Sequence, residues 1–443
     1  MFCSSNRADL RSKLVFPILL IDCPTTIFVG CFNSMIATKF NKKIRVASML
    51  EILEKMKKAH REGRLMPALK SRLMRYTQGI KYILHDPASD KVVLHSPDYV
   101  EPSKDKKEME IVERIFESFR EMKNDQKEVS DLYLPSSLWQ QQIDVSYSNF
   151  TDALASNNIE KFHFFLSNFG AWKQYHGVEE NMLIRDNMKT LFGRRYLKNV
   201  IFNNNLKNWE WIYNGRRPIS RLTYPTHGNQ SGVYVENTFV GTGSWFNEIY
   251  GSILSGLLDD VKRPVVADLG AGYGKLAYFT LRDMKESCFV DFDLPETLCL
   301  AAYYLMKSWP EKRTLLYGEG NYSEKAHENF DLIFMPSFEI DKVGENSIDL
   351  FMNKNSLGET TREAASNYVD HIAKAARYFF HMNHDIFPNV YSDNSPGLLG
   401  FEYPVPKDKF KLLFRYPSIG HILSQGKLDY YKDIFLYLYE RRR

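Results

Sequence analysis

Apolar residues recur at helical spacing along the first half of the chain and in short runs between turns along the second half. Met49, Ile52, Leu53 and Met56 stand at i, i+3, i+4 and i+7 with Lys and Glu between them. Met109, Val112, Phe116 and Phe119 form a second stripe in a charged background. Both patterns predict amphipathic helices, whose stripes suit a core or a subunit contact better than a cofactor site. Helix-like segments rich in Trp, Tyr and Phe continue from Trp139 to Asn168, and Lys91 to His95 reads as a short strand or loop. Asn203-Asn204-Asn205 and the Pro- and Gly-containing stretch from Asn214 to Gly232 mark a passage between regions.

From about Val233 the grammar alternates strand and helix, which predicts a parallel sheet covered on both faces. Val265 to Leu269, Cys288 to Asp293, Ile348 to Asn353 and Ala376 to Asn383 read as strands. Pro295 opens a helix with Leu298, Ala301, Ala302 and Leu305 on its buried stripe, and Ala365, Tyr368, Val369 and Ile372 mark another. Phe410 to Tyr416 and Asp433 to Tyr439 are expected to close the sheet edge as an antiparallel pair. Thr314 to Tyr317 and Phe330 to Met335 compete for the third strand; the latter is preferred because it makes Ile348 to Asn353 the fourth. The expected division is an extension over 1–45, a mainly helical cap or dimerisation domain over 46–232, and an α/β domain over 233–443. A homodimer is the assembly the helical stripes suit.

The chemistry concentrates where the first of these strands ends. Asp268-Leu269-Gly270-Ala271-Gly272-Tyr273-Gly274 places an acid and three alternating glycines between a strand and a helix. Glycine tolerates φ > 0 and lets backbone approach a ligand closely. The next strand ends in Asp293, so strand, glycine turn, helix, strand and acid describe a nucleotide-type ligand at the carboxyl edge of the sheet. A dinucleotide fingerprint is G-x-G-x-x-G; here the third glycine comes one residue early, and Asp268 would repel a pyrophosphate. The same acid suits an ammonium group, and S-adenosylmethionine carries one together with a ribose diol. Asp293, followed by Leu294, is a better diol acceptor than Asp291, although an Asp there also suits a helix cap.

Composition changes this picture little. The 443 residues are 44% hydrophobic and 25% charged with a net charge of +4, as expected of a folded chain with no nucleic-acid partner. Five cysteines without a C-x-x-C pair favour a reducing, cytoplasmic setting and no zinc site. Leu14 to Phe32 is apolar but is interrupted by Pro17, Asp22 and Pro24, which argues against membrane insertion. Arg7, Arg11 and Lys13 precede it without a convincing cleavage site, and Met35 is an alternative first residue.

At these residues the sequence resembles the sugar O-methyltransferase family, a branch of the class I S-adenosylmethionine-dependent methyltransferases. The resemblance rests on Asp268 to Gly274, Asp293 to Thr297, the N-x-x-S-x-x-E run from Asn353 to Glu359, Gly228-Asn229, and Asn383 at the end of the fifth strand. It covers the C-terminal half and reaches into the Trp139 to Asn168 segments. Thr360 and Gln230 depart from the pattern, where Met and Pro would be usual. The resemblance implies a Rossmann-like doubly wound sheet with an antiparallel last strand. It also implies methyl transfer to a hydroxyl of a sugar-containing acceptor, with Asp268, Gly270, Gly272 and Gly274 around the methionine end of the cofactor and Asp293 on its ribose.

Such a transfer needs alignment of the acceptor oxygen and a group to take its proton. Candidates cluster after the fourth and fifth strands: Ser356 and Glu359, then His381, Asn383, His384 and Asp385. His384 is favoured as base, with Asp385 orienting it or binding sugar hydroxyls, and His227 is a weaker rival. Glu359 can equally be a first-turn acid on the following helix. His381 and His384, three apart on a strand, point to opposite faces, so no metal is expected. The aromatic loop from Ile386 to Pro406 is placed to close over the acceptor. An amine or carboxylate acceptor, or a non-catalytic scaffold binding a protein partner, remains the alternative.

Overall fold

A computed structural model of the chain describes residues 79–83, 85–88, 91–172, 179–391, 396–422 and 433–442. The first 45 residues and the Met49 to Met56 stripe lie outside them. The stretch read as strand or loop is a strand, β1 (Val92–His95), paired antiparallel with β2 (Gly232–Val235). β2 turns through Glu236 and Asn237, both at positive φ, into β3 (Thr238–Val240). Positive φ at both central residues gives the turn the twist a two-residue hairpin needs.

Between β1 and β2 the chain is helical. α1 (Lys106–Asp125) starts where the Asp105 side chain accepts the Glu108 N–H at 3.2 Å. Its buried face carries Val112, Phe116 and Phe119 of the expected stripe together with Ile115 and Met122, while Met109 is half-buried. α2 (Ser137–Ser146), α3 (Ser148–Ala155) and α4 (Ile159–Asn168) follow, then α5 (Glu179–Met188), α6 (Leu191–Tyr196) and α7 (Asn204–Ile212). Phe119 and Phe162 pack on Phe150 at ring-centroid distances of 4.9 and 4.4 Å, joining α1, α3 and α4 through one aromatic knot.

α8 (Ser244–Gly256) leads into β4 (Val265–Leu269), α9 (Lys275–Leu281), β5 (Cys288–Asp293) and α10 (Pro295–Ser308). Then come β6 (Thr314–Leu316), α11 (Ala326–Asn329), β7 (Leu332–Pro336), β8 (Ile348–Lys354), α12 (Arg362–Ala375), β9 (Ala376–His384), β10 (Phe410–Pro417) and β11 (Ile434–Arg441). The strands form one sheet in the order β10-β11-β9-β8-β4-β5-β7-β6. All neighbours are parallel except β11, which runs antiparallel to both β9 and β10. Both candidates for the third strand are strands: β7 is the inner neighbour of β5, and β6 is added at the edge.

Alternation divides the sheet's side chains between two cores. Val266, Phe289, Phe334, Met352, Phe380 and Met382 join the helices of the first half, with α8, α9 and α10, on one face. Ala267, Val290, Ile333, Phe351 and Phe379 meet α12 on the other. α10 is buried around its whole girth from Pro295 to Met306, not along the single stripe its sequence suggests. The sheet takes one side, while α1 and α4 cover another. That outer cover is partly ionic: Glu296, fully buried, meets Lys123 at 3.0 Å, and Glu108 accepts from Tyr303 at 2.6 Å. Among the described residues no helix is long and apolar enough to cross a membrane.

Phe162 is fully buried in the knot that ties α4 to α1 and α3. Truncation to alanine is expected to cost about 3–5 kcal/mol, read as a fall in the urea midpoint with an unchanged slope. A loss below about 1 kcal/mol would mean the knot does not hold these helices together.

Candidate functional site

The turn after β4 is bent by three left-handed glycines, Gly270 (φ 82), Gly272 (φ 61) and Gly274 (φ 84). Gly270 donates its N–H to Phe292 O at 2.9 Å, which ties the turn to the end of β5. A Cβ on Gly270 would lie 2.5 Å from the Ser356 side chain, so glycine is required by packing as well as by φ. Ser356 Oγ and Asn353 Nδ2 both donate to Leu269 O, at 2.5 and 2.8 Å, anchoring the turn from β8.

Three carboxylates converge beneath this turn. Asp268 and Asp291 are register partners on β4 and β5, and Asp293 lies two residues further on the same face. Their exposures are 2%, 0% and 8%. Asp293 accepts the Leu294 N–H at 2.7 Å and the Gly272 N–H at 3.2 Å, which fixes its carboxylate against the turn. Burial, then the charge of Asp293, pushes the Asp268 carboxyl up to about 7, with Lys354 and the Leu269 N–H opposing. Burial, then Asp293 and Asp268, raises Asp291 well above the carboxylate range, the Ala271 N–H drawing it partly back. Burial raises Asp293 too, against the Thr297 hydroxyl and the Leu294 and Gly272 N–H groups.

Among the described residues Asp268 Oδ1 has no hydrogen-bond partner, and no Lys, Arg or His forms an ion pair with any of the three acids. Buried negative charge is costly unless it is paired or protonated. The cluster therefore suits a ligand that brings positive charge and hydroxyl donors, and it disfavours a pyrophosphate. An ammonium near Asp268 and a ribose diol at Asp293 fit these groups.

Tyr273 in the turn packs on Phe169 at 5.5 Å and on Tyr304 at 5.4 Å, so the end of α4 covers it. Gly228 accepts the Gly170 N–H at 2.7 Å, and Asn229 Nδ2 donates to Asn168 Oδ1 at 3.0 Å, placing the Gly228-Asn229 pair beside that cover. His227 stands next to it, its ring pushed down to about 4 by burial and then by Lys307.

The expected acceptor-side residues do not gather into one group. Glu359 accepts Trp139 Nε1 at 2.9 Å, and its carbonyl accepts Ser136 Oγ at 2.7 Å, so α2 reaches the turn after β8. That turn precedes the Thr361 cap of α12, so Glu359 is not a first-turn acid of the helix. His384 Nδ1 pairs with Asp433 Oδ2 at 2.8 Å, and its side chain is 33% exposed. Asp385, expected to orient His384, instead accepts Arg415 Nη2 and the Tyr437 hydroxyl, each at 2.6 Å. Asp433 was not a sequence candidate: it lies 49 residues beyond His384 and is brought back only because β11 returns antiparallel to β9. His381 and His384 do fall on opposite faces, and His381 is fully buried, its ring pushed down to about 3.

In the loop after β9, Phe387 and Phe401 are exposed while Tyr391 and Tyr403 are buried. Tyr391 donates to Thr360 O, and Asn389 Nδ2 donates to Gly358 O at 2.9 Å. Among the described residues no three His, Cys, Asp or Glu side chains are grouped to hold a metal ion.

The strand order with its antiparallel β11 is the class I methyltransferase fold. No protein-family model matches the chain, and no curated protein does either. Among solved structures it is similar to mitomycin 7-O-methyltransferase (12% identity, TM-score 0.28, 45% of this chain and 57% of that one). It is also similar to magnesium protoporphyrin IX methyltransferase from Synechocystis PCC 6803 (13%, 0.30, 45% and 81%). A third is an S-adenosylmethionine-dependent methyltransferase from Aquifex aeolicus (12%, 0.28, 43% and 87%). The match thus spans less than two thirds of the first of these proteins. At such values the likeness says nothing of chemistry, which rests on the residues.

Asp268 keeps its proton in the folded chain up to about pH 7, whereas the unfolded carboxyl has its ordinary value of 3.8. Stability from this group is complete below about pH 4 and is lost as pH rises through about 7, by an amount on the order of a few kcal/mol. Asp268→Asn is expected to remove that loss. Urea unfolding at pH 4.5 and 7.5 should show a smaller decline for the variant than for the parent chain, and equal declines would contradict the burial argument.

Proposed function

We propose that this chain is an S-adenosylmethionine-dependent O-methyltransferase acting on a sugar hydroxyl of a nucleotide-sugar or glycan precursor. The observation that carries the cofactor reading is the set of three buried carboxylates at a glycine turn, with no ion pair to them among the described residues. The sugar reading rests on the resemblance of the Asn353 to Glu359 run and of Asn383. The helical segments before β2 serve as the cover of the site, with the α/β region from 233 onward as the catalytic domain.

The cofactor, when bound, supplies a methyl group on a positively charged sulfur and hence a good leaving group. The chain's task is to hold both partners in line and to take the acceptor proton. Asp293, held by two backbone N–H groups, is oriented to accept ribose hydroxyls beside Leu294. Gly270, Gly272 and Gly274 let the backbone come close, and Asp268 faces the ammonium.

His384 is the base. Asp433 holds it through Nδ1, so Nε2 is the nitrogen left to receive the proton. On β9 it shares the sheet face of Met382, which is the face of the acids on β4 and β5. Glu359, steered by Trp139, and Asp385, held by Arg415 and Tyr437, bind acceptor hydroxyls.

His384→Asn and Asp433→Asn are each expected to lower the rate of methyl transfer about 10²-fold or more. Cofactor affinity should stay within about twofold, because neither residue touches that site. The assay is release of S-adenosylhomocysteine on addition of a panel of sugar nucleotides and glycosides. Full activity in His384→Asn would move the base elsewhere. Turnover with amines and none with any sugar would replace the acceptor class.

A further inference from the structure

A second set of buried polar atoms lies on the opposite face of β9, under the segment Leu398–Tyr403. His381 Nε2, Asn383 Oδ1, Asp385 Oδ1 and the Tyr403 hydroxyl have no hydrogen-bond partner among the described residues. These residues are 0%, 1%, 6% and 6% exposed. Such groups are rarely left unmet, because each costs free energy when removed from water without a partner.

The four atoms fall in two pairs, one about Gly400 and one about Gly358. A Cβ on Gly400 would stand 2.7 Å from Asp385 Oδ1 and 3.5 Å from His381 Cε1. One on Gly358 would stand 3.5 Å from the Tyr403 hydroxyl and 3.7 Å from Asn383 Oδ1. The His381 ring lies 5.0 Å from the Tyr403 ring and stacks on Tyr437 at 4.4 Å and 14°. Flat rings therefore flank these polar atoms.

Their inventory is specific. Burial keeps the His381 ring neutral. Asn383 Nδ2 faces Nδ1 at 3.5 Å, which assigns the ring hydrogen to Nε2. Burial also holds the Tyr403 hydroxyl protonated. Nε2–H and the tyrosine hydroxyl are then donors, and Asn383 Oδ1 and Asp385 Oδ1 are acceptors. Two donors and two acceptors answer two neighbouring hydroxyls, each of which gives one hydrogen bond and takes one. The negative charge of Asp385 is already met by Arg415, at 2.6 Å, so the place suits a neutral ligand over an amine.

The position also communicates with the cofactor turn. Asn383 Nδ2 donates to Asn353 Oδ1 at 3.0 Å, and Asn353 Nδ2 donates to Leu269 O at 2.8 Å. Two amide side chains thus link this place to the residue before Gly270.

We propose that His381, Asn383, Asp385 and Tyr403 form the subsite for a vicinal diol of the acceptor, entered when the Leu398–Tyr403 segment lifts. This rests on the methyltransferase reading for its purpose, but its ligand chemistry stands on its own residues. His381 and Asn383 are binding residues here, and Asp385, next to His384 where β9 ends, joins the subsite to the base.

The test uses the full chain with methyl α-D-mannopyranoside, methyl α-L-rhamnopyranoside and methyl α-D-glucopyranoside as diol probes, read by saturation-transfer NMR and thermal unfolding. At least one probe is expected to bind saturably. Tyr403→Phe should weaken that binding about three- to tenfold, the loss of one neutral hydrogen bond. The same variant should unfold at an unchanged or higher temperature, because the hydroxyl it removes has no protein partner. His381→Gln serves as a second variant with the same expected weakening.

Absence of binding by all three probes, with the four atoms met by ordered water alone, would overturn the proposal. So would unaltered binding in Tyr403→Phe, or a fall of its unfolding midpoint by more than about 2 °C. Diol binding by a chain that does not bind S-adenosylmethionine would refute the methyltransferase reading and leave the subsite standing.

Discussion

Three carboxylates buried on one sheet face, with no ion pair to them among the described residues, are the constraint around which the rest of this structure is arranged. Asp268 and Asp291 are brought side by side by the parallel register of β4 and β5, and Asp293 completes the group at the strand end. A fold seldom tolerates such repulsion in its core, since a hydrophobic residue would serve packing better. The cluster persists at the point where the glycine turn exposes the carboxyl edge of the sheet. On the proposed reading, that cost in the free chain becomes affinity for a bound cation.

The helices before β2 lie against α10 and the glycine turn. α10 carries Glu296 and Tyr303 outward into α1, and Phe169 at the end of α4 leans on Tyr273 in the turn itself. α2 reaches over the sheet to hold Glu359 through Trp139. The same aromatic and ionic contacts that stabilise this layer also cover the glycine turn and hold the Glu359 side chain.

Much of this was legible in the residue pattern. Alternating apolar runs located β4, β5, β8 and β9, and the stripe on α1 emerged as its buried face, because local spacing and burial agree there. The acid-glycine turn was readable because left-handed backbone leaves few residue choices. What escaped were features made by long-range return of the chain. Asp433 meets His384 only through the antiparallel β11, and Asp385 turns to Arg415 and Tyr437 for the same reason. The two-sided burial of α10 was hidden because its outer face is covered by ion pairs and tyrosines, residue types that read as solvent-facing. β6 and β7 competed for one place in the sequence, yet the sheet accommodates both by adding β6 at its edge.

The most direct test of the central claim is a calorimetric titration of the full chain with S-adenosylmethionine, S-adenosylhomocysteine and NAD, alongside Asp293→Ala. A cation-seeking carboxylate cluster beside a ribose acceptor predicts saturable binding of the first two. It predicts no binding of NAD, and at least about a tenfold loss of affinity in the variant, the scale of a lost hydrogen bond to a charged group. Binding of NAD in their place, or no binding of S-adenosylmethionine by a chain shown to be folded, would contradict the account.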